Sequence, residues 1–252
     1  MTDEFYIGWE AKAAPGIGKT ARRISIVLMW LALLAPVVLA VSQTMIGSSV
    51  FEWGTLKTFS GMLQTQPYPH LLVPRSGQIG SASSFSSYYL VAPWKFGLDT
   101  RVLAQLDGRP VTLKGTLIYR GNQTMVETKP DWIQMNGKTV ASPPQTVPLG
   151  RQTLVGEIVD SKCFLGVMNP GQLTPHRACA IRCISGGVPP VLLVRQKNAP
   201  ASYVLLVSGN GKPVNKQVLD LVAKPVEITG EVERQGELLI LRADPATYRR
   251  AK

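Results

Sequence analysis

The first long apolar run of the chain extends over residues 24–45 and contains no charged side chain. A helix of about 20 apolar residues crosses the hydrocarbon core of a bilayer, so this run predicts a transmembrane helix. Its single proline, Pro36, is tolerated in a membrane helix. The alternative is a cleaved signal peptide. Because the apolar core of a signal peptide usually has only about 7 to 15 residues, we expect a retained anchor.

Basic residues flank the predicted helix closely on one side only. Lys19, Arg22 and Arg23 precede it directly. The next basic residue along the chain is Lys57. The positive-inside rule therefore predicts a cytoplasmic tail at 1–23, in a bacterial inner membrane, with the bulk of the chain in the periplasm. Nucleic acid is not an expected partner in that compartment, although the net charge is +11.

Beyond the helix, short β-branched runs alternate with Gly, Pro and Asn, which is typical of small all-β domains. Residues 110–118 (PVTLKGTLI) resemble residues 225–233 (PVEITGEVE), an offset of 115. The same offset places YYLVA at 88–92 on YVLLV at 203–207. Repetition at constant spacing indicates two copies of one unit. We predict a mainly β protein with one N-terminal transmembrane helix followed by two OB-like small β-barrel repeats.

The repeat also sets the predicted domain bounds. A linker at 46–57 leads to a first β domain at 58–135. A second linker at 136–150, rich in Gly, Pro, Ser and Thr, leads to a second β domain at 151–252. The first strands of the two copies align with an offset of 95 rather than 115, so the second copy carries about 20 additional residues. This insertion, at 160–190, contains all three cysteines of the chain.

The insertion concentrates four side chains that could carry chemistry: Cys163, His176, Cys179 and Cys183. If the segment after Pro175 is helical, the last three share one face, because they follow each other at i, i+3 and i+7. Three thiols and one imidazole form a four-ligand shell that zinc accepts and that soft Cu(I) favours. We therefore predict these four residues as ligands of a zinc or copper ion.

Two other chemical interpretations of the same residues stay open, besides buried free cysteines that carry no chemistry. In an oxidising compartment, a disulfide from Cys163 to Cys179 or Cys183 would close the loop without a metal and leave one thiol free. In a thiol enzyme, Cys179 or Cys183 would attack a substrate with His176 as the base. Every version requires the four groups to converge in space. We assign no catalytic residue.

Residues 13–20 (AAPGIGKT) resemble the phosphate-binding pattern GxxxxGKT, but Ala13 stands at its first glycine. The segment has no strand before it and continues directly into the predicted membrane helix. A phosphate-binding loop needs a strand on one side and a soluble helix on the other, so we expect no nucleotide binding.

At 156–190 the sequence resembles a group of poorly characterised bacterial envelope proteins that share GxxxDxxC, HxxCAxxC and Gly-Gly-x-Pro. The matching residues here are Gly156, Asp160, Cys163, His176, Cys179, Cys183, Gly186, Gly187 and Pro189. The opening DEFYIGW, residues 3–9, resembles single-span proteins that accompany membrane redox systems. These resemblances imply a membrane-anchored accessory or assembly subunit of a respiratory or redox membrane complex, non-catalytic, with integral membrane subunits as partners. A periplasmic metal-handling protein is the alternative.

Overall fold

A computed structural model describes residues 14–44, 49–75, 85–137, 145–197 and 199–251. The chain divides into two compact units, residues 1–47 and 48–252. The predicted fold class is confirmed, since an N-terminal apolar helix is followed by two closed five-stranded β-barrels.

The described part of the first unit is the helix α1 (Pro15–Thr44). Its stretch Pro15–Ser42 is long and apolar enough to cross a membrane, because 28 residues rise about 42 Å. Leu31, Leu34 and Val38 are each more than half exposed, as expected for side chains that face lipid rather than a protein core. The helix begins within the predicted tail, and residues 1–13 of that tail lie outside the described residues.

The first barrel consists of β2 (Lys57–Gln64), β3 (His70–Pro74), β4 (Phe85–Val91), β5 (Pro110–Arg120) and β6 (Gln123–Glu127). The strands pair in the order β5-β2-β3-β4-β6, and β6 returns to β5, so the sheet closes. All these pairs are antiparallel except β4 with β6, which run parallel. Two short strands, β1 (Val50–Phe51) and β7 (Ile133–Met135), add to β5. The short helix α2 (Thr100–Leu103) lies between β4 and β5. A closed five-stranded sheet of this order is the OB-fold arrangement.

The second barrel repeats this arrangement with β8 (Thr146–Asp160), β9 (Pro190–Gln196), β10 (Ala199–Val207), β11 (Pro225–Gln235) and β12 (Leu238–Arg242). Its strands pair in the order β11-β8-β9-β10-β12, and β12 returns to β11. The β10–β12 pair is parallel, as is β4–β6. The strand β13 (Arg249–Arg250) adds to β11 as β7 adds to β5. The one long additional element is the helix α3 (Leu173–Ser185), between β8 and β9.

Strand registers correct one alignment within the repeat. The parallel pairs place Tyr89 opposite Met125 and Leu205 opposite Ile240. Since β6 and β12 are separated by 115 residues, β4 and β10 are separated by 116. The predicted match of 88–92 on 203–207 is therefore wrong by one residue. Every residue of β10 from 203 to 207 is buried, so no alternation of polar and apolar positions fixes the register in the sequence.

Gly61 in β2 and Gly156 in β8 occupy the same position in the two barrels. A Cβ atom on Gly61 would overlap the carbonyl oxygen of Leu72 on the neighbouring strand. One on Gly156 would overlap the carbonyl oxygen of Leu193 in the same way. The neighbouring strand therefore comes too close for any side chain at this point, which explains glycine inside these two strands.

The two barrels pack against each other through a shared apolar cluster. From the first barrel this cluster takes Tyr89, Val91, Ile118 and Met125, and from the second Val159, Val191, Leu193 and Leu205. Each barrel also has an interior cluster of its own. Cys163, Phe164 and Cys183, which belong to the insertion, are part of the shared cluster. The insertion therefore lies where the two barrels meet.

The predicted domain bounds stay predictions. Strand β1 lies inside the predicted linker at 46–57, and β8 begins inside the predicted linker at 136–150. Residues 45–48 and 138–144 of these segments lie outside the described residues.

Candidate metal centre

The centre begins where β8 ends. Asp160, the last residue of that strand, is fully buried. Its Oδ1 atom accepts a hydrogen bond of 2.8 Å from the backbone N–H of Cys163. A carboxylate that accepts from the backbone three residues further on stabilises a helical turn, and a single π-helical turn follows at Cys163–Val167. The carboxylate thereby fixes the position of the first cysteine.

Helix α3 supplies the other two cysteines. Cys179 and Cys183 are four residues apart and therefore lie on one face of the helix. The helix ends at Ser185, after which Gly186 closes the last turn. Gly187 has φ +102°, a left-handed conformation that favours glycine and turns the chain away. The predicted helix after Pro175 is present as part of α3.

Cys163, Cys179 and Cys183 come together as what we term the thiol cluster. The Sγ atom of Cys163 lies 3.9 Å from that of Cys179 and 3.9 Å from that of Cys183. All three sulfurs lie within 4.8 Å of one another. The three cysteines, all of them within the described residues, are free thiols.

His176 lies beside the thiol cluster but has a different partner. Its Nε2 atom is 2.9 Å from Oδ2 of Asp160, and both side chains are buried. Atoms of Asp160, Cys163 and His176 lie within 4.8 Å of one another. The imidazole thus supports the carboxylate that holds Cys163, as residues behind metal ligands commonly do. Its role as a fourth ligand stays a prediction.

Lys95, which the sequence analysis did not identify, contacts the cluster from the first barrel. Its Nζ atom donates a hydrogen bond of 2.6 Å to Sγ of Cys179. The lysine belongs to the turn at 92–97 after β4, which we term the covering loop. The loop also contacts the end of α3, since the N–H of Gly97 donates to the carbonyl of Gly186 at 3.0 Å. The contact joins residues 84 positions apart, so no local spacing marked Lys95.

A second lysine, Lys162, holds the covering loop in place. Its side chain is 1% exposed. The Nζ atom donates to the carbonyl oxygens of Ala92, at 2.8 Å, and Trp94, at 2.7 Å. It also forms an ion pair of 2.5 Å with Glu127 of β6. Because Lys162 immediately precedes Cys163, one residue of the insertion fixes both the loop and the barrel that carries it.

The thiols and Lys95 shift one another's pKa values. The hydrogen bond with Cys183, followed by burial, raises the pKa of the Cys163 thiol. The same hydrogen bond lowers the pKa of Cys183, and the nearby Lys95 ammonium lowers it further. The hydrogen bond to Cys179 raises the pKa of Lys95, which therefore keeps its positive charge. Cys183 therefore loses its proton more readily than Cys163, and a metal would have to displace the proton of Cys163.

No protein-family model and no curated protein sequence matches the chain. The resemblance to bacterial envelope proteins therefore stays a prediction.

Proposed function

We propose that the protein is a membrane-anchored metal-binding protein that holds one soft metal ion between Cys163, Cys179 and Cys183. The spacing of the sulfurs carries this proposal. With metal–sulfur bonds of about 2.3 Å, two thiolates of one ion lie about 3.8 Å apart in a tetrahedral site and about 4.0 Å apart in a trigonal one. The observed 3.9 Å falls between these values. The cluster can therefore accept an ion with little rearrangement.

Burial supports binding over catalysis. Cys163 is 3% exposed and Cys183 is 1% exposed, which leaves Cys179 as the more accessible thiol. The base expected for a thiol enzyme, His176, has its Nε2 atom on Asp160, and among the described residues no hydrogen bond joins its imidazole to Cys179 or Cys183. A nucleophile needs both a base and access for a substrate, whereas a bound ion needs only converging thiolates. We therefore assign no catalytic step to these residues.

The anchor and the resemblance extend the proposal to location and partners. Helix α1 would hold the barrels on the periplasmic face of a bacterial inner membrane, with the basic flank of the helix in the cytoplasm. Intact-mass measurement should find residues 24–45 retained, and alkaline phosphatase fused after the last residue should be active. A chain that begins near Ser42 would show a cleaved signal peptide instead.

The wider role that we propose is that of a non-catalytic accessory or assembly subunit of a respiratory or redox membrane complex. Exposed Trp94 and Phe96 on the covering loop place apolar side chains next to the metal centre, where a partner could bury them. Purification from native membranes in mild detergent should recover integral redox subunits together with this chain. Recovery of the chain alone would contradict the accessory role and leave the metal-handling alternative.

Metal titration of the full-length protein in detergent tests the metal site. Under anaerobic conditions with a phosphine reductant, we expect about one equivalent of Cu(I) or Zn(II) per chain, and loss of binding in Cys179→Ser. Ser185→Ala, on the same helix and exposed, is the matched control and should bind like the wild type. If the reduced wild type takes up neither ion, the proposal is wrong. A disulfide from Cys163 in the natively purified protein would favour the alternative in which a disulfide closes the loop without a metal.

A further inference from the structure

We propose that Lys95 makes the metal centre selective for a monovalent soft cation, Cu(I), over divalent zinc. This inference rests on the proposed function, namely that the thiol cluster binds a metal. It adds the class of ion, and it assigns the selection to a residue of the other barrel. Four observations carry it: the place of Lys95, its fixation by the fold, the charge of the site, and the coordination that remains open.

Lys95 covers the side of the cluster from which solvent has access. Cys163 and Cys183 are almost fully buried, whereas Cys179 is partly exposed. The Lys95 side chain is itself exposed, and its ammonium lies on the Cys179 sulfur at 2.6 Å. The ammonium is thus the outermost group of the site.

The fold, rather than the flexible lysine side chain, determines this position. Lys162 donates to the carbonyl oxygens of Ala92 and Trp94. The N–H of Gly97 donates to the carbonyl oxygen of Gly186. Gly186 approaches the backbone of Lys95 so closely that a Cβ atom there would overlap the Lys95 carbonyl oxygen. Trp94 has φ 63°, a left-handed conformation that is unfavourable for a tryptophan. The loop is therefore held in one conformation that directs Lys95 to the cluster.

The charge of the site then favours the monovalent ion. Three thiolates with Cu(I) have a net charge of −2, and three thiolates with Zn(II) have a net charge of −1. A fixed ammonium stabilises the more negative complex, because it is repelled by one positive charge instead of two.

The number of available ligands also favours Cu(I) over Zn(II). Zinc in protein sites is almost always four-coordinate, whereas Cu(I) is stable with three thiolates. In the structure the thiol cluster offers three sulfurs, and the ammonium lies on the open side, where a water ligand of zinc would be needed. An ammonium has no lone pair with which to replace that ligand.

Competition titrations of the full-length protein test the inference, with Cu(I) and Zn(II) each measured against a chromophoric chelator under anaerobic reducing conditions. The quantity of interest is the ratio of the two dissociation constants, Kd for Zn(II) over Kd for Cu(I). In Lys95→Gln, which removes the charge at similar length, this ratio should fall at least about tenfold. In Lys95→Arg, which keeps the charge, the ratio should stay near the wild-type value. Lys197→Gln removes an exposed lysine of the second barrel and should leave the ratio unchanged.

The outcomes separate the two proposals. If the wild type binds neither ion, the metal site itself is wrong, and the selectivity inference fails with it. If the wild type binds both ions and Lys95→Gln keeps the wild-type ratio, the metal site stands and the role of Lys95 is wrong. If Lys197→Gln lowers the ratio of dissociation constants about tenfold as well, the effect reflects net surface charge, and the inference is wrong.

Discussion

The two barrels share one fold and differ most at one connection. In the first barrel, five residues at 65–69 join the first two strands, and the N–H and hydroxyl of Thr65 both donate to Asp107. In the second barrel the same connection occupies residues 161–189 and holds the π-helical turn, helix α3 and every cysteine of the chain. The chemistry thus belongs to the insertion, and the OB-like barrel serves as the scaffold that positions it.

A second pair of equivalent loops shows that the first barrel also contributes to the site. The turn after β4 and the turn after β10 close with the same hydrogen bond, from Ala92 to Phe96 and from Ser208 to Lys212. In the second barrel the Ser208 side chain also bonds within its own turn. In the first barrel the turn is the covering loop and reaches the thiol cluster. The site therefore requires both barrels in contact.

The largest expected effect comes from Lys162, which has no counterpart in the first barrel's short connection. Lys162→Met removes the cation and leaves the largely buried Glu127 carboxylate and two carbonyls without a partner. Breaking one side of a buried pair costs about 3 to 5 kcal/mol of the free energy of unfolding. Urea denaturation of the full-length protein measures this loss.

The matched control for Lys162 is an exposed ion pair of the second barrel. Arg151→Met breaks the contact with Glu231, whose side chain is 57% exposed, and should cost less than about 1 kcal/mol. The double variant Lys162→Met with Glu127→Gln should recover part of the loss, because it removes the unpaired carboxylate. Equal, small effects of Lys162→Met and Arg151→Met would contradict the role given to Lys162.

Gly61 and Gly156 test whether neighbouring strands approach equally closely in the two barrels. Gly61→Ala and Gly156→Ala each place a Cβ atom against a carbonyl oxygen of the next strand, so both should destabilise the protein by about 1 to 3 kcal/mol. Gly209→Ala, which meets no atom within 4 Å, should change stability by no more than about 0.5 kcal/mol. Thermal unfolding of the three variants measures the difference. If only one of the two strand glycines is sensitive, the equivalence of the barrels at this point is wrong.

The smallest expected effect is a pH dependence of the unfolding free energy that comes from the first barrel alone. His70 of β3 is buried, and burial lowers its pKa; the equivalent residue of β9 is Val191. Stability from the neutral imidazole is present above the ordinary histidine pKa of about 6.5 and is lost as the pH falls below it. His70→Val should therefore flatten the pH dependence of the unfolding free energy by about 1 kcal/mol between pH 6.5 and 5.5. An unchanged slope in denaturation at these two pH values would show that His70 is not the group responsible.

The sequence predicts those features that depend on spacing along the chain. An uncharged run identified α1, constant offsets identified the two barrels, and the step from Cys179 to Cys183 placed two thiols on one helical face. Lys95 and Lys162 could not be found in this way, because their partners lie 35 to 84 positions away in the chain and each contact joins the insertion to the first barrel. The pairing of His176 depends on the buried end of β8, which likewise needs the folded structure.

The most direct test of the account is the first coordination shell of the bound ion. X-ray absorption spectroscopy of the full-length protein, loaded with one equivalent of Cu(I) under reducing conditions, reports the number and type of ligand atoms. We predict three sulfur atoms at about 2.3 Å, one each from Cys163, Cys179 and Cys183. A shell of nitrogen or oxygen atoms in the wild type would contradict the claim that the second barrel's insertion builds a thiolate metal centre.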